Sequence, residues 1–265
     1  MKNVLLLVHD DAGQEARLQV ALDLTRRLDG HLTCVDVAVP QIPIGDVNFG
    51  ATPAILVDYE CEREAANKAR LQARLAHEGV AWNWIDTIGT IAEGVLQAAE
   101  LADIIVLNRQ LESGRNPDMR DIASRIVMHA RKPIVAVPET LTRFHFDRAL
   151  VAWDGRASSA DTMRISTPLL ALAKDVEIFM VRNRATQMNP SEAAEYLSRH
   201  GISANVVVIE DDHTAADKLI EEECQRWHAD YVVMGAYGRG RLREVFGGIT
   251  KRMLAGSKYP LIMGH

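Results

Sequence analysis

The sequence is short of cysteine, of long apolar runs and of excess positive charge. Its cysteines, Cys34, Cys61 and Cys224, are three in number, far apart and without C-x-x-C spacing. That excludes a disulfide framework and fits reduced thiols in a cytoplasmic setting. The opening MKNVLLLVHDD has five apolar residues, Val4 to Val8, before acids intervene, too few for the core of a signal peptide. No uninterrupted apolar run approaches the roughly 20 residues needed to cross a bilayer. Net charge is −6 and the isoelectric point is near 5.9. Neither a nucleic-acid binder nor a membrane-surface binder is expected, because each needs a basic face. Catalytic motifs are also missing: there is no G-x-S-x-G, H-E-x-x-H or DFG-like element, no G-x-G-x-x-G and no Walker pattern. No catalytic residue and no metal ligand is therefore assigned, His9, Asp10 and Asp11 being taken as a polar loop.

What is present is 265 residues, 48% hydrophobic and 25% charged, an ordinary globular composition in a chain long enough for two domains. The chain repeats itself. Residues 102–137 lie over 229–264 at a constant offset of 127, with identities at Ala102/Ala229, Asp103/Asp230, Val106/Val233, Ile122/Ile249, Arg125/Arg252 and Pro133/Pro260. Near the start of each half, VLLLVHDDAG answers ALVAWDGRAS at an offset of 145, so the first copy is about 18 residues longer in its middle. Each copy alternates short β-rich apolar runs with helical patterns, which predicts α/β architecture: two tandem copies of a five-stranded parallel-sheet, Rossmann-like domain. Strands are expected near 3–8, 31–37, 81–86, 103–107 and 133–137, then near 148–153, 175–182, 203–208, 230–234 and 260–264. In the second copy helices are expected near 158–173, 190–200, 213–227 and 248–257. The first copy's extra length falls in a long loop, 39–55, before a helix over 57–78. The linker is placed at 138–148, giving domains of 1–140 and 146–265. Trp82 and Trp84 are expected in the core, and Cys224 half-buried on a helix with a solvated charged face.

One stretch carries chemistry. MGAYGRGRLREVFGGIT, 234–250, holds glycines at 235, 238, 240, 247 and 248, where a strand hands over to a helix. Glycines let backbone N–H groups approach a ligand closely, and a helix N-terminus favours phosphate. The alternative is that they only satisfy a tight strand-to-helix turn. The arginines at 239, 241 and 243 could add charge to a phosphate cradle or stand in solvent.

Here the chain resembles the tandem universal stress proteins, over both halves from Val4 to Met263. That family's nucleotide motif is Gly, two residues, Gly, nine residues, Gly, then Ser or Thr, usually after a small apolar residue or Met. This chain offers Met234, Gly235, Gly238 and Gly248, followed by Ile249 where a hydroxyl belongs; aligned one residue earlier, Gly247 is the third glycine and Gly248 replaces Ser. Thr250 stands one position further on. The resemblance implies that Asp154, in AWDG, contacts the nucleoside and that the backbone near Val181 meets adenine. The implied site is thus Asp154, Val181, Met234, Gly235, Gly238, Arg239, Gly247, Gly248, Ile249 and Thr250, and the implied ligand is ATP or a related adenine nucleotide. From the residues alone, Asp154 reads first as a helix-start acid; the resemblance brings in the ligand role. In the first copy the corresponding residues are His9, Asn108, Leu111, Arg120 and Asp121, and that site is expected to be dismantled. A non-catalytic or weakly hydrolytic regulator of stress responses is implied, with an unknown protein partner; a nucleotide-free scaffold and a hydrolase or adenylating enzyme are the alternatives. Family members pair through the last strand, so PIVAV (133–137) and PLIMG (260–264) are the expected partners, within one chain or between two.

Overall fold

The computed structural model describes residues 1–39, 53–111, 118–182, 188–211, 213–237 and 247–265, the side chains of 53–61 excepted. In the first half, strands β1 (Asn3–Val8), β2 (His31–Ala38), β3 (Ala81–Ile88), β4 (Ile104–Asn108) and β5 (Ile134–Val137) alternate with helices α1 (Gln14–Arg27), α2 (Pro53–Leu75), α3 (Ile91–Ala98) and α4 (Met119–His129). The second half repeats the plan with β6 (Arg148–Ala152), α5 (Ala157–Ile165), α6 (Thr167–Leu170), β7 (Asp175–Arg182), α7 (Pro190–Arg199), β8 (Ala204–Glu210), α8 (Ala216–Trp227), β9 (Tyr231–Gly235), α9 (Gly247–Gly256) and β10 (Leu261–Gly264).

All ten strands form one sheet, ordered β3-β2-β1-β4-β5-β10-β9-β6-β7-β8. Within each half every pairing is parallel. The repeat survives pair by pair. Val4 lies opposite Ile104 as Ala149 lies opposite Tyr231, and Ile105 opposite Ile134 as Val232 opposite Leu261. The halves meet where β5 and β10 run antiparallel, Leu261 opposite Ala136 and Met263 opposite Ile134. At the centre Val135 faces Ile262, its own counterpart at the offset of 127, so a local two-fold passes through that pair.

The central strands β1, β4, β5, β9 and β10 are buried nearly throughout, as expected of parallel strands covered on both faces. Two apolar layers result, one beneath α1, α5, α6 and α7, the other beneath α3, α4, α8 and α9. The outermost strands β3 and β8 have no fully buried residue, and the partial burial of Trp82 and Trp84 follows from that. They lie on the edge strand β3, only partly buried, with the Trp84 indole donating to Asp86 and Lys68 above its ring.

The helix expected over 158–173 is divided at Ser166, where Pro168 can supply no N–H to continue the ladder. Asn189 caps α7 by accepting from the Ser191 N–H, with Pro190 in the first turn. The long helix of the first half is shifted toward the N-terminus, 53–75 rather than 57–78; most of the loop expected at 39–55 lies outside the described residues.

Candidate functional site

In the second half the strand order reverses between β6 and β9, whose neighbours lie on opposite sides. Crevices open beyond the carboxyl ends of parallel strands at such a switch point. A crevice is found there. Its floor is Ala152 of β6, Phe179 and Val181 of β7 and Met234 of β9; its walls include Ala216 and Ile220 of α8 and Ile249 and Thr250 of α9. Asp154, Arg156, Ser158 and Tyr237 supply polar atoms at the mouth. An apolar floor with a few polar side chains is the general make-up of a small-molecule pocket.

Asp154 follows β6 and takes the helix-start role among the two the sequence left open. Its Oδ1 accepts from the Arg156 N–H at 3.1 Å and from the Ser159 hydroxyl at 2.7 Å, closing the turn into α5. Its Oδ2 lies 3.9 Å from the Arg156 Nε, and about half of the side chain (51%) remains exposed at the crevice mouth. One oxygen therefore builds the helix start while the other faces outward.

Gly235 is required by packing and not by a turn. A Cβ there would lie 2.5 Å from the Ser159 backbone nitrogen and 2.7 Å from the Ser158 carbonyl carbon, so the end of β9 can touch the first turn of α5 only without a side chain. Gly248 is different: a Cβ would meet the tip of Arg252 at 2.9 Å, a flexible group that pairs with Asp217 on α8. Thr250 is buried, and Ile249 partly so, in the first turn of α9. Thus Asp154, Val181, Met234, Gly235, Ile249 and Thr250 line one crevice, and Gly247 and Gly248 begin the helix beside it. Gly238 and Arg239 lie outside the described residues.

The equivalent place in the first half is filled from within. Asn108 replaces Gly235, and its side chain lies over Gly13, where a Cβ would come within 2.5 Å of it. Gly13 stands where the second half has Ser158, so the small and large residues have changed sides. Arg17, equivalent to the buried Thr162, is wholly buried. Its Nη1 donates to Asn108 Oδ1 at 2.5 Å and Asp11 Oδ1 at 2.6 Å, its Nε to the Leu7 carbonyl at 2.8 Å, and its Nη2 to the His9 carbonyl. Asn108 in turn donates to the Val137 carbonyl. His9, the counterpart of Asp154, has its imidazole held below its ordinary pKa by burial, with Asp11 opposing and Arg17 assisting. This network was not foreseen: Arg17 reads as one more charge on an amphipathic helix, and only the spacing that brings it beneath Asn108 marks it.

Two sequence expectations are corrected on α8. Cys224 is fully buried, not half-buried, and desolvation drives its thiol pKa upward. Its neighbour Glu223 is not on a solvated face; it is buried against Glu177 of β7, and both approach Arg226. Burial, with Glu223 adding, pushes Glu177 up to about 7. Cys34 is likewise buried, its thiol pushed up to about 12 by desolvation. Among the described residues no group of three or more His, Cys, Asp or Glu side chains could hold a metal, and no helix is long and apolar enough to cross a membrane.

No protein-family model and no curated protein matches the sequence. Solved structures do match. A universal stress protein from Archaeoglobus fulgidus DSM 4304 superposes with a TM-score of 0.74 over 99% of this chain and 97% of its own, at 14% identity. The chain has the fold of a tandem universal stress protein. A candidate universal stress protein from Pseudomonas aeruginosa UCBPP-PA14 gives a TM-score of 0.61 at 16% identity, covering 99% of this chain and 92% of that one. Because the first match extends over nearly the whole of both chains, the universal stress protein fold accounts for both halves.

Proposed function

We propose that this chain is a universal stress protein that binds one adenine nucleotide, ATP or a relative, in the crevice of its second half and acts as a regulator rather than a catalyst. The reading rests on the convergence of Asp154, Val181, Met234, Gly235, Ile249 and Thr250 on a single crevice at the switch point, beside the N-terminus of α9. The apolar floor would take the base, Asp154 Oδ2, beside Arg156, a ribose hydroxyl, and the α9 N-terminus the phosphates. The hydroxyl normally found after the third glycine is missing. Loss of one such contact to phosphate lowers affinity about ten- to a hundredfold, which places the constant toward the weak end. Trp153, at the crevice wall, offers a signal. Titration of nucleotide-free protein with fluorescently labelled ATP should show about one site per chain, and Gly238→Glu should abolish it. Absence of binding at millimolar ligand defeats the reading.

A second reading, a nucleotide-free interaction scaffold, draws on the crevice's volume of ≈ 120 Å³. That is below the range of about 300–1,000 Å³ usual for ligand pockets. Stoichiometric adenine nucleotide released by heating the purified protein and identified by mass spectrometry would exclude it.

A further inference from the structure

Each half sends the residues after its fourth strand onto the last helix of the other half. From the first half, the Gln110 N–H donates to the Leu254 carbonyl and Arg109 Nη1 to the Ala255 carbonyl, both at 3.1 Å, satisfying acceptors at the end of α9. From the second half, the residue equivalent to Gln110 is Tyr237, whose hydroxyl donates to Ser124 Oγ on α4 at 2.6 Å. The Ser124 hydroxyl in turn donates to the Arg120 carbonyl at 2.7 Å. Tyr237 is also a wall residue of the crevice, between Gly235 and Gly238 of the glycine motif. The backbone before it is pinned to β10: the Ala236 N–H donates to the Gly264 carbonyl at 2.8 Å, and the Ala236 carbonyl lies 3.0 Å from His265 Nδ1. Its own φ of +46° is left-handed, a conformation that a bulky non-glycine residue adopts only when its surroundings hold it there.

We propose that Tyr237 is a positioning residue through which α4 of the first half sets the geometry, and so the nucleotide affinity, of the second half's crevice. The inference builds on the nucleotide reading above and gives the first half a role in it. The first half thereby shapes its partner's crevice, because the wall of that crevice is tied on one side to β10 and on the other to α4. A phenol is protonated at neutral pH, so the donor is present there, and burial shifts Tyr237 further upward. Tying a wall residue down removes conformational freedom before the ligand arrives, which raises affinity without a new ligand contact.

The test is a double-mutant cycle on the full chain, with fluorescently labelled ATP as probe and thermal unfolding measured in parallel. Tyr237→Phe and Ser124→Ala should each weaken binding about three- to tenfold, and the double variant should be no weaker than the worse single one. Ser124→Thr, which keeps the acceptor, should restore wild-type affinity. Unchanged affinity in both single variants, or fully additive losses, overturns the proposal while leaving the nucleotide reading in place. If wild-type protein itself binds no nucleotide, that reading fails, and with it the proposed control of affinity. Amide exchange in the ligand-free chain then decides the geometric part: faster exchange at Ala236 and Tyr237 in Ser124→Ala supports the tether, and unchanged exchange refutes it.

Discussion

Replacing Arg17 by methionine keeps the length and apolar stem of the side chain and removes the guanidinium. Three acceptors then lose a donor in a place closed to water: the Leu7 carbonyl, the His9 carbonyl and Asn108 Oδ1. Asp11 loses its counter-ion at 2.6 Å, and its other oxygen, Oδ2, is buried and already without a hydrogen-bond partner. Breaking a buried ion pair by removing one member costs about 3–5 kcal/mol, since the survivor is left charged and desolvated. The His9 carbonyl keeps the Asp11 N–H at 2.9 Å, and the other acceptors belong to the same network, so individual costs of about 1–3 kcal/mol are not added in full. We therefore expect Arg17→Met to lose about 3–5 kcal/mol in urea unfolding and on the order of 10 °C in Tm. Arg17→Lys should not rescue it, because an ammonium cannot reproduce the planar fork that reaches four acceptors. Adding Asp11→Asn to Arg17→Met should return part of the loss, since no bare carboxylate is then left behind. A loss below about 1 kcal/mol for Arg17→Met, or full rescue by lysine, would show that the cluster does not hold the first half together.

Gly235→Ala should cost about 1–3 kcal/mol and impair the crevice, because the new methyl would strike backbone at Ser158 and Ser159. Gly248→Ala should be close to neutral in chemical denaturation, since only the Arg252 tip must move. Stability should also depend on pH through Glu177 and Asp36. Their folded pKa values are raised, from 4.5 to about 7 and from 3.8 to about 6, by burial first and then by facing acids: Glu223 for Glu177, Glu64 and Asp86 for Asp36. The folded chain therefore keeps protons that the unfolded chain has released, and stability conferred below about pH 4 declines as pH rises toward 7. Glu177→Gln should flatten that decline in urea titrations at several pH values; an unchanged slope would refute the assignment. Cys34 and Cys224, buried with raised thiol pKa values, should resist a thiol reagent until the chain is unfolded, and prompt labelling of either in native protein would contradict their placement.

The order of strands and helices was legible in the sequence because period-2 and helical patterns are local, and the duplication because identities at one constant offset need no structure to be seen. The residues gathered in the crevice were named through a resemblance, and no local pattern would have distinguished Val181 or Met234 from any other apolar strand residue. Trp82 and Trp84 pack against the core as expected but are only half-buried, because a strand's own pattern does not say how many neighbours it has.

What the sequence by itself determined is the pair of α/β units and the asymmetry between a glycine-bearing handover at 235–248 and its counterpart at 108–121. Those are properties of residue type and spacing along the chain. Tertiary structure alone decided that Arg17 lies buried against Asn108, that Glu177 and Glu223 face each other, and that Tyr237 reaches across to Ser124. Each depends on groups 46 to 113 positions apart, or on a helix lying over a particular strand end. The physical reason is that burial, and with it the cost of an unpaired charge or the rigidity of a tethered wall, is set by which surfaces pack together and not by neighbours in sequence.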